Sequence, residues 1–150
     1  MFLDMKLPAD HDLLAPDGSQ VRLLPALAGG GMAHFRLLAA QVSRAVRHRT
    51  VEEIWYVLDG QGEIWRSLDG QQAVTALLPG VCLTIPVGTE FQFRASVAEA
   101  VSMIAVTMPP WPGEDEAVEV KGIWRSAFKE SASKQVDDNK TETSQQIEHQ

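Results

Sequence analysis

One cysteine in 150 residues, Cys82, allows no internal disulfide and fits a reducing compartment. Basic residues are also few. Thirteen Lys and Arg against 20 Asp and Glu leave a net charge of −7, which argues against nucleic acid or an anionic membrane as a partner. No apolar run approaches membrane-spanning length, and Met1-Phe2-Leu3-Asp4 has neither the basic nor the long apolar region of a secretory signal. The expectation is a soluble, cytoplasmic chain. Helical period is missing as well: nowhere do apolar residues recur at three- and four-residue steps over a helix length. That excludes the helical fold classes.

What is present is core-forming material in short pieces. Apolar residues make up 45% of the chain, enough to bury a full core at the size of a single domain. Turn signals arrive at near-regular spacing: Asp59-Gly60, Asp69-Gly70, Pro79-Gly80 and Pro86-Val87-Gly88. Between them lie short runs rich in β-branched and aromatic residues: Ile54–Leu58, Glu63–Arg66, Val74–Leu77, Val81–Ile85 and Phe91–Arg94, with a longer Val101–Met108 after them. Many short strands punctuated in this way predict an all-β sandwich or barrel.

Three regions follow. Residues 1–28 form an N-terminal arm with one strand after the Asp17-Gly18 turn. Residues 29–125 form the barrel, with Gly29-Gly30-Gly31 a bend rather than a phosphate loop, since no Lys and Ser/Thr follow it. Met32–Leu38 and Val42–Arg49 are expected strands, the first with His34 on its polar, exposed face. Pro109-Pro110-Trp111-Pro112-Gly113 ends the sheet because proline cannot donate to a ladder. Ala117–Val120 can add a peripheral strand. Residues 126–150 are a polar tail with few apolar residues, expected to be disordered.

The chemistry concentrates in His48-Arg49-Thr50-Val51-Glu52-Glu53, followed by the strand run and Gly60. An imidazole and a carboxylate five positions apart on adjoining extended segments can share a metal ion, act as an acid/base pair, or satisfy each other by a hydrogen bond. A second stretch, Gly80-Val81-Cys82-Leu83-Thr84-Ile85-Pro86-Val87-Gly88, makes a turn, a strand and a second turn leading to Phe91 and Phe93. Alternation puts Glu53, Trp55 and Val57 on one strand face and Ile54, Tyr56 and Leu58 on the other. Both faces are apolar, so both should be covered. Cys82 is expected to be a small buried hydrophobe.

Together the two stretches resemble the motif pair of the cupin superfamily. The first motif matches at His48 (as its second histidine), Glu53 and Gly60, the second at Gly80, Pro86 and Gly88. The resemblance covers roughly residues 30 to 108 and implies a jelly-roll β-barrel of antiparallel strands. It also implies a homodimer and, in the enzymes, a divalent Fe, Mn, Ni or Zn held by three histidines and a glutamate. Here the other histidine positions fall on Val46 and Phe91, and an asparagine position on Ala95. Only His48 and Glu53 remain as metal ligands, too few to retain a metal selectively. The expected site is therefore a mostly apolar pocket of Val46, Trp55, Phe91 and Phe93 with His48 and Glu53 at its polar end. Arg44, which shares a face with His48 if the strand is regular, would meet an anionic ligand. The expectation is a protein that binds a small organic ligand and no tightly bound metal. The alternative is a metal-dependent enzyme of dioxygenase or isomerase type using His48 and Glu53.

Overall fold

A computed structural model describes residues 1–129 of the chain. Eleven short strands are arranged in two antiparallel sheets. The six-stranded sheet runs β1 (Leu13–Leu14), β2 (Gln20–Leu27), β3 (Gly30–Leu37), β10 (Val101–Met108), β5 (Glu52–Gly60), β8 (Cys82–Ile85). The five-stranded sheet runs β11 (Ala117–Glu119), β4 (Val46–His48), β9 (Glu90–Ala95), β6 (Gly62–Leu68), β7 (Gln71–Leu77). The two sheets face one another as in a jelly roll, matching the all-β expectation. The helical content among the described residues is one 3-10 turn, Glu114–Glu116.

Side-chain alternation builds the core between the sheets. In β5 Glu53, Trp55 and Val57 are buried while Ile54, Tyr56 and Leu58 are exposed. Leu37, Val101, Met103 and Ile85 join them from the same sheet; Ile64, Leu77, Phe91 and Phe93 come from the opposite one. All eight are at most 1% exposed and cluster between the sheets. The glycine that closes the first motif has a backbone reason. Gly60 sits at φ +79°, where any side chain would run into the Ala100 carbonyl. Gly62 is packed the same way against the Arg94 carbonyl.

Several expectations change. Only Val46–His48 of the expected 42–49 strand pairs continuously; Val42 makes a single bridge to Arg94. Cys82 is exposed, because the alternation of β8 buries Leu83 and Ile85 instead. His34 is buried, at 5% exposure, next to its cross-strand partner Arg22. That guanidinium donates to the Pro8 and Ala9 carbonyls (2.8 and 2.7 Å) and ties the N-terminal arm over this end of the sheet. The second face of β5 stays partly open within the single chain: Ile54, Tyr56 and Leu58 are 40 to 48% exposed, and Leu58 lines a groove with Leu3, Met5 and Leu7 of the N-terminal arm.

The C-terminal side is longer than the 29–125 barrel. Ala117–Glu119 adds the expected peripheral strand against β4. Beyond it Gln92, buried inside the sheet, accepts from the Ile123 and Trp124 amides and donates to the Ser43 and Trp124 carbonyls. Ala127 bonds Val42, and Phe128 packs on the core. Residues 126–129, expected to be tail, are therefore part of the folded body. The rest of that expected disordered segment lies outside the described residues.

Candidate functional site

The six residues expected at a pocket besides Arg44 do come together. Val46, His48, Glu53, Trp55, Phe91 and Phe93 are all 5% exposed or less. β4 supplies Val46 and His48, β5 supplies Glu53 and Trp55, and β9 supplies Phe91 and Phe93. The rings pack edge to face: His48 on Phe91 at 5.2 Å, Trp55 on Phe91 at 5.9 Å and on Phe93 at 5.2 Å. Val46 lies directly opposite Phe91 across the β4–β9 ladder.

Arg44 does not join them. Because the strand is interrupted before Val46, its side chain leaves the barrel. Its Nε donates to the Lys129 carbonyl at 2.7 Å and Nη1 to the Pro16 carbonyl at 3.0 Å, with the guanidinium 5.5 Å from the Phe128 ring centre. Arg44 thus ties the Pro16 turn to the segment at Lys129. It offers nothing to a ligand in the barrel.

His48 and Glu53 approach without bonding. His48 Nδ1 stands 3.8 Å from Glu53 Oε1, beyond hydrogen-bond reach. Glu53 Oε2 accepts instead from the Trp55 indole N–H at 2.6 Å. His48 Nδ1 is buried with no partner at all. Burial pushes the His48 imidazole down to about 4, against a smaller upward pull from Glu116. Burial likewise pushes the Glu53 carboxyl up to about 7, with the Trp55 hydrogen bond opposing it. At neutral pH the imidazole is uncharged and the carboxyl is poised between its two forms.

Two further residues belong to the site and were missed in the sequence. Trp111 lies edge-on to His48 at 4.9 Å and remains 37% exposed. Its signal was a large aromatic among prolines in a segment that cannot pair as a strand. Thr89 is 2% exposed and its hydroxyl, too, is buried without a partner. Thr89 immediately precedes β9, and beside it the Gly88 amide donates to the His48 carbonyl at 3.3 Å. Its position two residues before Phe91 was the available signal. Glu90 stays on the outer side, partly exposed.

The residues present do not fit a resident metal. Among the described residues no three His, Cys, Asp or Glu side chains converge, and Val46 and Phe91 put hydrocarbon where further donors would have to stand.

No family model and no curated protein matches the chain. Solved structures do. KdgF from Halomonas sp. is 19% identical at a TM-score of 0.55, over 67% of this chain and 87% of that one. An uncharacterized conserved protein with a double-stranded β-helix domain from Klebsiella pneumoniae is 15% identical at 0.58, over 73% and 91%. A recombinant oxalate oxidase in complex with glycolate is 22% identical at 0.60, with this chain spanning 62% of its length. Likeness at these identities is one of fold. The chain has the double-stranded β-helix fold of these structures.

Proposed function

We propose that this protein binds a small organic molecule at the His48–Glu53 end of its barrel, without a resident metal. One observation carries the reading. His48 Nδ1 is buried, unpartnered and 3.8 Å from the Glu53 carboxyl. An unmatched buried polar atom costs about 1–3 kcal/mol, and a ligand group that bonds it recovers that cost. The surrounding Phe91, Trp55 and Trp111 rings supply apolar contact. Arg44 is withdrawn from the expected pocket, so the ligand is held by hydrogen bonds and ring contacts. A thermal-shift screen of small organic compounds tests this: hits should be weakened by His48→Ala, and a screen with no hit that depends on His48 rejects the reading.

A second reading is a metal-dependent enzyme. Fold neighbours that are themselves enzymes and the convergence of His48 on Glu53 favour it; the donor set does not. It requires ligands from beyond the described residues. Elemental analysis of protein purified without chelator or affinity tag decides between the two. The ligand-binding reading expects no stoichiometric Fe, Mn, Ni or Zn. About one such ion per chain, lost in His48→Ala, would establish the second reading instead.

We also propose that two copies associate through the outer face of the six-stranded sheet. Met32, Ile54, Tyr56 and Leu58 are exposed there, with Ile104 and Val106 between them on β10. In a chain of net charge −7, this uncharged strip is where two copies meet with least repulsion. The cytoplasm remains the expected compartment. No helix of the described residues is long and apolar enough to cross a membrane.

A further inference from the structure

We infer that the N-terminal arm is an acid-released strap: Arg22 latches it over His34, and protonation of that histidine frees it. The inference is independent of the ligand-binding reading. Alternation along β3 turns Ala33, Phe35 and Leu37 to the core and Met32, His34 and Arg36 to the outer face of the six-stranded sheet. A histidine on such a face would ordinarily be wet, yet His34 is 5% exposed. The arm covers it. Met32, two residues earlier on the same face, and Ile104, the cross-strand partner of His34 on β10, line one groove with Leu3, Met5 and Leu7 of the arm. Arg22, the partner of His34 on β2, is 8% exposed and donates to the Pro8 and Ala9 carbonyls at 2.8 and 2.7 Å. Further along, the Asp12 amide donates to the Val21 carbonyl and the Asp12 carboxylate accepts from the Leu23 amide, both at 2.8 Å. These bonds fasten residues 8–12 along β2.

The closed strap does not accommodate a second charge. Among the described residues no carboxylate forms an ion pair with Arg22, and its Nη1 is buried without a partner, as is His34 Nδ1. Cross-strand neighbours stand about 5 Å apart at Cβ, so a protonated His34 would set two cations side by side away from water. Burial and the Arg22 charge accordingly hold the imidazole below the ordinary histidine range; Asp59 of β5 opposes them, and Arg36 on the same strand face adds to them. From β10 the facing residue is the uncharged Ile104. The charged groups of the arm, Asp4, Lys6, Asp10 and Asp12, and its histidine, His11, are exposed, and His34 Nδ1 bonds none of them. Opening the arm returns His34 to water and to its ordinary affinity for a proton. Closure is therefore fully favoured above about pH 6.5 and weakens as pH falls from there toward the lowered value of the covered histidine.

The test is hydrogen exchange of the full chain at pH 7.5 and 5.0, read as protection relative to each amide's intrinsic rate at that pH. The Asp12 and Leu23 amides, whose bonds cross from arm to sheet, report on closure. They should exchange faster than the amides of β5 and β10, because the strap opens without the barrel. Their protection should fall on the order of tenfold between the two pH values, as expected for one histidine moving between a lowered and an ordinary proton affinity. His34→Gln, which cannot take the charge, should abolish that fall. Arg22→Leu, which removes the latch, should cut the protection of both amides at least tenfold already at pH 7.5, and it tests the strap separately from His34. Exchange of Asp12 and Leu23 in step with β5 and β10 overturns the inference, since the arm then opens only with the whole barrel. Protection that is equal at the two pH values, or a fall that persists in His34→Gln, overturns the role of His34. Unchanged protection in Arg22→Leu overturns the latch.

Discussion

At the scale of single residues, the His48–Glu53 couple has an inverted ionisation. The carboxyl is raised to about 7 and the imidazole lowered to about 4 by burial, so each prefers its neutral form in the folded state. The consequences for stability have opposite signs. Between about pH 4.5 and 6.5 the folded chain holds a proton on Glu53 that the unfolded chain has lost, and lacks one on His48 that the unfolded chain keeps. The two slopes cancel there. Above pH 6.5 the Glu53 effect stands alone and stability falls until the carboxyl ionises near 7; below 4.5 the His48 effect stands alone and stability falls with pH. Glu53→Gln, which can still accept from the Trp55 indole, removes one of the slopes. Relative to the parent, its stability should therefore rise from pH 4.5 to about 7, by on the order of 3 kcal/mol for a displacement of this size. Melting curves of the two proteins across that range check it; a difference independent of pH would mean that Glu53 ionises normally.

At the scale of elements, the segment after β10 has a clear physical role. Pro109 to Gly113 cannot pair as a strand, and Trp111 from this segment lies on His48 at 4.9 Å. The following 3-10 turn is anchored by Glu116, whose carboxylate accepts from the Thr50 and Val51 amides, both at 2.6 Å, and from the Thr50 hydroxyl at 2.9 Å. The Arg49 amide donates to the Glu116 carbonyl as well. Residues 49–51 are the link between His48 and Glu53, so one side chain holds both the covering segment and the spacing of the couple beneath it. Burial alone would raise the Glu116 carboxyl, but the Thr50 and Val51 hydrogen bonds outweigh it and hold it below the usual range. This anchor therefore contributes fully above the ordinary carboxylate range and fails only as pH drops through the lowered value. Two variants test the element. Trp111→Ala should cost little, about 1–2 kcal/mol for a partly exposed ring, yet speed the modification of His48 by diethyl pyrocarbonate, located by peptide mass spectrometry. Glu116→Gln should cost about 1–3 kcal/mol by leaving an amide hydrogen unmatched, and also expose His48. Unchanged His48 reactivity in both would show that Trp111 does not shield it.

At the scale of the whole molecule, the exposed strip of β5 makes a prediction about assembly. Light scattering at micromolar concentration should give twice the 16.5 kDa chain mass, and Tyr56→Glu, on the exposed face of β5, should return the single-chain value without unfolding the barrel. A parent protein that scatters as a single chain rejects the dimer. The architecture that carries this face was largely legible in the sequence. Period-two alternation and turn residues at regular spacing are local signals, and both survive into the two sheets because strands of this kind have one buried face wherever they pair. Gly60 is legible for the same reason: its φ of +79° and its contact with Ala100 belong to a turn that the sequence marks. Glu53, Trp55 and Val57 were likewise placed by alternation alone, and all three are buried together. What tertiary structure alone decided lies where alternation stops. Arg44 sits two residues before a strand that begins four residues later than its pattern suggests, and so turns outward to Lys129 and Pro16. Trp111 and Glu116 act from a segment with no period at all, brought to His48 by the course of the chain after β10. The His48–Glu53 separation of 3.8 Å, and the hydrogen bond that Glu53 accepts from Trp55 instead, depend on how the surrounding elements pack. A sequence reports which side of a strand a residue takes; the distance between two side chains from different elements is set only when every element between them is in place.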